Sequence, residues 1–296
     1  MSAKRLGVRR LAAAFRPDWI RRRRQGAALQ GVPLILIAIV VLYLGIVLLL
    51  PLATILTRAF GNGFAPAWRA VTDPDALAAI RLTLIAAGSA VIVNTIFGLA
   101  IAWLVTRFEF PGRRLLLSIL DVPLMVSPVV SGMLFVLLLG TRGIFGPLLD
   151  RLGLQIIFAT PGIVLVTIFV TLPYVARELI PFMQTEGAES EVAAVSLGAR
   201  GWTTFRRITL PAIRWSLLYG IVLCAARAIG EFGAVSVVSG HIRGVTNTAT
   251  LHVEVLYDEY RTQEAFAVAA VLTLLAFVAV IARKLLSARS IEEGAR

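Results

Sequence analysis

The stretch Leu82–Thr106, LTLIAAGSAVIVNTIFGLAIAWLVT, contains no Lys, Arg, Asp, Glu or His. Residues 25–57 and 152–176 share that property. A helix needs about 20 apolar residues to cross the hydrocarbon core of a bilayer, and an ordinary buried helix of a soluble domain is shorter. Each block is long enough to span. The rest of the composition agrees: 58% of the residues are hydrophobic, 16% are charged, and the mean hydropathy is +0.85. A soluble domain is nearer half apolar and a quarter charged.

Working outward from these blocks, hydropathy and breakers divide the chain into six spans: 31–57, a second ending near Thr106, 115–140, 160–183, 212–238 and 264–282. Asp73-Pro74-Asp75 reads as the start of the second helix, with Asp73 as the cap and Pro74 in the first turn. Asp121, Pro123 and Pro128 interrupt the third span, which predicts a kinked or re-entrant element there. A kink is predicted at Pro173 in the fourth. Arg227 and Glu231 interrupt the fifth. The fold class is therefore all-α integral membrane, with 1–30 a basic tail, 31–283 the membrane domain and 284–296 a C-terminal tail.

Six spans put both termini on one side. Basic residues accumulate in cytoplasmic segments. The N-terminal tail, loops 107–114 and 184–210, and the C-terminal residues from Arg283 on carry nine, three, three and four Lys or Arg, against two each in loops 58–77, 141–159 and 239–262. Both termini and loop 184–210 are accordingly expected in the cytoplasm. The net charge of +12 is no nucleic-acid signature, because nine of the 29 basic residues precede residue 25 and no aromatic-basic motif accompanies them. The run Arg21–Arg24 reads as an anchor on anionic lipid. The first apolar block is too long for a cleaved signal and is read as a retained span. Cys224 is the only cysteine, so neither a disulfide nor a cysteine metal cluster is expected. His241 and His252 have no ligand-type neighbours at metal spacing.

Loop 184–210 is where the polar sequence has structure of its own. Ser190 and Glu191 suit a helix start, Val192, Ala193, Ala194 and Leu197 make an apolar face, and Gly198 suits a stop. Trp202–Arg207 reads as a second short helix leading to Pro211. Two readings stand open on these residues alone. One is an amphipathic linker lying on lipid. The other is a docking surface, since the small side chains of Ala193, Ala194 and Gly198 permit close approach by another chain.

The same residues carry a resemblance. Ala193-Ala194, then Gly198, then Ile208-Thr209-Leu210-Pro211 is similar in identity and spacing to the EAA loop of bacterial ABC-importer permeases. In that family a glutamate immediately precedes the two alanines; here that position is Val192, and Glu191 stands one residue earlier. A second stretch, Arg227-Ala-Ile-Gly230-Glu231-Phe232-Gly233, resembles the sulfate and molybdate permeases. Pro173–Pro181, Ser236–Gly244 and Leu251–Tyr260 are similar to the W-type permeases of sulfate/thiosulfate transporters, with molybdate or another oxyanion as the alternative cargo. The resemblance covers roughly residues 80–283. It implies a type I permease fold in the bacterial inner membrane, without catalysis of its own. It further implies that Glu191, Ala193, Ala194, Gly198, Ile208, Leu210 and Pro211 contact an ATPase. The implied partners are a sister permease, two cytoplasmic ATPases that carry the ATP and Mg, and a periplasmic sulfate-binding protein.

Arg227, Gly230, Glu231 and Gly233 are the candidate residues of a translocation path. Charge inside a membrane span is expensive, and such residues face the bundle interior or a water-filled route. Residues 227 and 231 are four apart and share a helix face. They form either a structural ion pair at a helix bend, with Gly230 and Gly233 allowing close packing, or a source of positive potential for a dianion. Backbone N–H groups at helix N-termini also bind sulfate without any cation. Asp121 reads as a solvated or capping residue, and Arg177-Glu178 as an interfacial pair, the cytoplasmic gate or the edge of the ATPase contact.

Two other classes fit the sequence less well. A gradient-driven carrier often shows an inverted repeat or matched broken segments, and the sequence shows neither. An intramembrane enzyme needs convergent catalytic groups, and Arg227/Glu231 supplies neither nucleophile nor metal site. The chain is not itself an ATPase of the P-loop kind, since it has no Gly-x-x-x-x-Gly-Lys-Ser/Thr run and Lys only at 4 and 284.

Overall fold

The computed structural model describes the backbone of residues 31–294 and the side chains of residues 36–281. The basic tail 1–30 lies outside the described residues, as do the side chains of 284–296. Every described element is helical. The chain divides into two units after Thr54. The first consists of the greater part of α1 (Gly31–Phe60), whose Leu36–Phe60 stretch has a mean hydropathy of 2.9 and the length to cross a membrane.

The second unit runs through α2 (Phe64–Val71), α3 (Pro74–Arg107), α4 (Arg113–Met125), α5 (Pro128–Leu139), α6 (Gly146–Arg151), α7 (Thr160–Thr171), α8 (Pro173–Glu186) and α9 (Glu189–Ser196). It continues with α10 (Gly201–Thr204), a π-helical turn at Phe205–Thr209, α11 (Leu210–Ile229), α12 (Gly233–Val238), α13 (Ala249–Asp258) and α14 (Thr262–Gly294). Among the described residues five helical stretches are long and apolar enough to cross a membrane, or six if α4 and α5 count as one broken span. As Asp73-Pro74 predicts, α3 opens with Asp73 Oδ1 accepting from the Asp75 N–H at 3.0 Å, and Pro74 contributes no N–H that needs a partner.

The third span is not one helix. α4 and α5 meet at an angle of 107°. Val126 and Ser127 are extended, and Ser127 precedes Pro128, whose ring disfavours helical backbone in the residue before it. The fourth span behaves differently at Pro173. Leu172 keeps helical angles (φ −52°, ψ −45°), and Thr160–Glu186 continues as one span.

The fifth span also departs from the expected 212–238. The helix starts in the loop, at Gly201, passes through the π turn, and ends at Ile229. Residues 230–232 break it, and the short α12 follows. The second loop helix expected at Trp202–Arg207 is thus the first turns of this span. The expected polar loops 58–77, 141–159 and 239–262 hold α2, α6 and α13. α2 exists because Ala67 and Ala70 give it a buried stripe against Ala59 and Ala267.

α8, α3 and α11 pack on one another. Glycines set both approaches to α8. A Cβ on Gly98 would stand 2.8 Å from the Val175 Cβ, and one on Gly220 would stand 3.3 Å from the Val175 Cα. With no water between them to exclude, membrane helices associate through such close packing. Around this contact Ala102, Val175, Leu179, Met183, Ile213 and Cys224 are buried. A polar knot ties α3 to α7: Asn94 Nδ2 donates to the Ile168 carbonyl (3.1 Å) and to Thr171 Oγ1 (2.9 Å). A second core joins α3, α7, α12 and α13 through Leu82, Ile163, Val166, Val235 and Leu251.

Candidate coupling surface and helix break

α9 is the only helix of loop 184–210 that stands apart from the spans. It ends because Gly198 takes φ +88°, a backbone region that side-chain-bearing residues avoid. The Gly198 N–H then donates to the Val195 carbonyl (2.9 Å) and the Ala199 N–H to the Ala194 carbonyl (3.0 Å). These two bonds satisfy carbonyls that the helix end leaves over, in the Schellman arrangement. A Cβ on Gly198 would meet nothing within 4 Å, so it is the backbone angle that calls for glycine here.

One residue holds α9 to the membrane helices. Glu191 Oε2 lies 2.8 Å from Arg107 Nε, at the end of α3, and Glu191 Oε1 accepts from Thr209 Oγ1 at 2.8 Å. Arg107 Nη1 also donates to the Met183 carbonyl of α8 at 3.0 Å. The Arg107 and Glu191 side chains are only 10% and 16% exposed. Glu191 therefore faces inward and joins α9 to three spans. An open groove alongside α9 is lined by Trp103, Arg107, Val195, Phe205 and Thr209. Trp103 meets Phe108 edge-on and tilts against Phe205, which stacks on Trp202.

The outer surface of this region is apolar. Val192, Val195, Leu197 and Trp202 are 61%, 56%, 90% and 71% exposed, and Ala193 is exposed beside them. Of the other residues singled out in the loop, Ala194 and Ile208 are half-buried, Leu210 is half-buried, and Pro211 is exposed in the first turn of α11. The residues divide into an inward anchor, Glu191, and an outward face centred on Val192, Ala193 and Leu197. Sequence reasoning missed Arg107 and Thr209 as the anchor's partners. The available signal was an acid in one loop and a basic residue ending a span on the same predicted side.

The break in the fifth span brings the second set together. Arg227 Nη1 lies 2.5 Å from Glu231 Oε2, although the helix between them ends at Ile229. Glu231 Oε1 accepts from the Ala234 N–H (2.9 Å) at the start of α12, and its carbonyl accepts from Thr250 Oγ1 (2.8 Å). The Glu231 side chain is 1% exposed and that of Arg227 is 29% exposed. Gly233 lets α12 approach α5, since a Cβ there would stand 3.2 Å from the Pro128 Cβ. Gly132 does the same from α5: its Cβ would lie 2.7 Å from the Ala234 carbonyl oxygen. Gly230 has only the Ala226 carbonyl near its Cβ position, at 3.7 Å, so it does not mediate packing between helices. The breaks at Pro128 and Gly230 thus meet in space. The sequence showed no such matched pair, because the two breaks share no motif.

Asp121 and Arg177 are partners, which sequence reasoning did not anticipate. Arg177 Nε lies 2.8 Å from Asp121 Oδ1, and Arg177 Nη2 lies 2.8 Å from Asp121 Oδ2. His252, on α13, is buried away from both regions. Burial lowers the affinity of its imidazole for a proton; Asp75 and Asp73 oppose that, and Arg243 and Arg261 add to it. Among the described residues no group of three or more His, Cys, Asp or Glu is placed to hold a metal ion.

Among the described residues, five helical stretches long enough to span, a bent α4/α5 pair, a loop helix that stands apart and a break after Ile229 make up the fold. A crystal structure of a bacterial alginate ABC transporter in complex with an alginate pentasaccharide-bound periplasmic protein has this fold, with a TM-score of 0.68 at 18% identity over 92% of this chain and 96% of that one. The chain belongs to the family of binding-protein-dependent transport system inner membrane components, whose profile matches residues 94–291. It is 52% identical, over 86% of its length and 87% of the relative's, to the sulfate transport system permease protein CysW of Escherichia coli K12. It is 34% identical, over 78% of its length and 83% of the relative's, to the sulfate transport system permease protein CysT of the same organism.

Proposed function

We propose that the chain is one half of the translocation path of an ATP-driven sulfate/thiosulfate importer, with both termini in the cytoplasm. The observation that carries the cargo is the 52% identity to a sulfate permease across nearly all of both chains. The proposed sister subunit is a CysT-like permease, because E. coli has a related permease of each kind. Two ATPases holding ATP and Mg, and a periplasmic sulfate-binding protein, complete the proposed complex.

The geometry supports a division of labour. The outward face of α9, with Val192, Ala193, Val195 and Leu197, docks on an ATPase. An apolar face exposed to water is unfavourable until a partner covers it. Glu191 ties that face to Arg107 and Thr209, so displacement of α9 pulls on α3, α8 and the start of the fifth span. Closure of the ATPases around ATP then shifts the helices between inward- and outward-open arrangements. Arg227 is held by a buried carboxylate, which favours a role in shaping the break at 230–232 over direct binding of the anion.

The test is sulfate-stimulated ATP hydrolysis by the reconstituted complex. Ala193→Arg places a charge on the exposed face without backbone strain, and Gly198→Arg adds one at its end. Both are expected to lose stimulation while the chain still inserts. Molybdate in place of sulfate distinguishes the anion. ATP-independent sulfate uptake by the chain alone would overturn the importer reading in favour of a gradient-driven carrier.

A further inference from the structure

The Asp121–Arg177 pair ties α4, which buries little against the rest of the protein, to α8. On one side is a tightly packed body. α8 is pressed against α3 and α11 through Gly98 and Gly220, and Arg107 bonds both the Met183 carbonyl of α8 and Glu191 of α9. On the other side, α5 is locked to α12 through Gly132 and Gly233, and Glu231 starts α12 with its side chain. α4 is the arm between them. It buries only Leu120 and Pro123. It joins α5 through the two extended residues at the 107° bend.

Depth sharpens the point. Asp121 lies about 12 Å along α4 from Arg113, and Arg177 about 13 Å along α8 from Glu186, at 1.5 Å per residue. With those helix ends at the membrane surface, the pair sits within the inner leaflet of a hydrocarbon core about 30 Å thick. Arg177 is nevertheless 52% exposed and Asp121 26%. Partly exposed charges at that depth face a water-filled cavity or the bundle interior, not lipid. A bidentate guanidinium–carboxylate fork fixes orientation as well as distance. It suits a tether that must carry a rotation of α8 into α4.

We propose that Asp121 and Arg177 are positioning residues for transport: their pairing transmits movement of the α8/α9 body to the bent pair α4/α5, and through it to the Glu231 break. The inference rests on the importer reading and adds the residues that link ATP use to the path.

The experiment measures ATP hydrolysis and sulfate uptake in parallel on the reconstituted complex, with Asp121→Asn, Arg177→Gln and the exchanged double variant Asp121→Arg/Arg177→Asp. The single variants keep the docking face and are expected to retain ATP hydrolysis within about twofold, while uptake per ATP falls about tenfold. The exchanged variant is expected to restore at least half of the lost ratio. A purely structural role would lower hydrolysis and uptake together, leaving their ratio unchanged, and that outcome overturns the proposal. So does a fallen ratio that the exchange leaves unrestored. If the unaltered complex shows no ATP-driven sulfate uptake, the importer reading itself fails, and this inference with it.

Discussion

Removing the Glu191 side chain tests whether α9 is held by that residue. Glu191→Ala leaves Arg107 with the Met183 carbonyl as its remaining polar partner and deprives Thr209 Oγ1 of its acceptor. Breaking a fully buried ion pair by deleting one partner costs about 3–5 kcal/mol. Here the side chains are 10% and 16% exposed, so water screens part of the loss. A cost of about 2–3 kcal/mol follows, concentrated on the docking of α9 because the spans themselves are packed elsewhere. At about 1.36 kcal/mol per factor of ten, the detached state of α9 rises about 30- to 150-fold. Amide hydrogen exchange of the complex-free chain in detergent reads this directly. Residues 188–199 are expected to exchange faster by that factor, while α3 and α8 stay protected. Unchanged exchange in 188–199 would mean that the aromatic contacts of Trp103 and Phe205 hold the helix, and that Glu191 is not the anchor.

Gly132→Ala places a methyl group 2.7 Å from the Ala234 backbone oxygen, a contact that neither helix relieves without moving; a loss of about 1–3 kcal/mol is expected, read as a lower thermal midpoint in detergent. Glu231→Ala leaves Arg227 without its carboxylate and α12 without its starting acceptor, so a loss of about 3 kcal/mol is expected, larger than that of Arg227→Ala. His252 gives a pH dependence. Burial lowers its proton affinity in the folded state, so its neutral form favours folding. That contribution is complete above the ordinary value near 6.5 and is lost as pH falls through the lowered folded value. The thermal midpoint should therefore drop between pH 7 and pH 5, and His252→Gln should flatten that part of the profile. An equal drop in the variant would assign the effect to other groups.

The sequence by itself determined that the chain crosses the membrane and where most spans lie. Uncharged blocks as long as Leu82–Thr106 have one physical solution, since every backbone polar group in hydrocarbon must be bonded within its own helix. The stop at Gly198 was equally legible, because a left-handed residue is a local requirement. Pro128 marked the weakness of the third span but not its outcome. The same residue type at Pro173 left the fourth span continuous: Leu172 keeps helical angles, and α8 packs on both α3 and α11 while α4 buries two side chains.

Only the tertiary structure decided which charges are partners. Arg227 and Glu231 were readable as a pair and as an interruption of the fifth span, yet the bonds of Glu231 to the Ala234 N–H and of its carbonyl to Thr250 were not. Arg107 with Glu191, and Asp121 with Arg177, are 84 and 56 positions apart and meet only once the spans have packed. Periodicity reports which face of a helix is apolar. It carries no information about which neighbour that face will meet, and the glycines that set those meetings are indistinguishable in sequence from the ones, like Gly230, that touch no other helix.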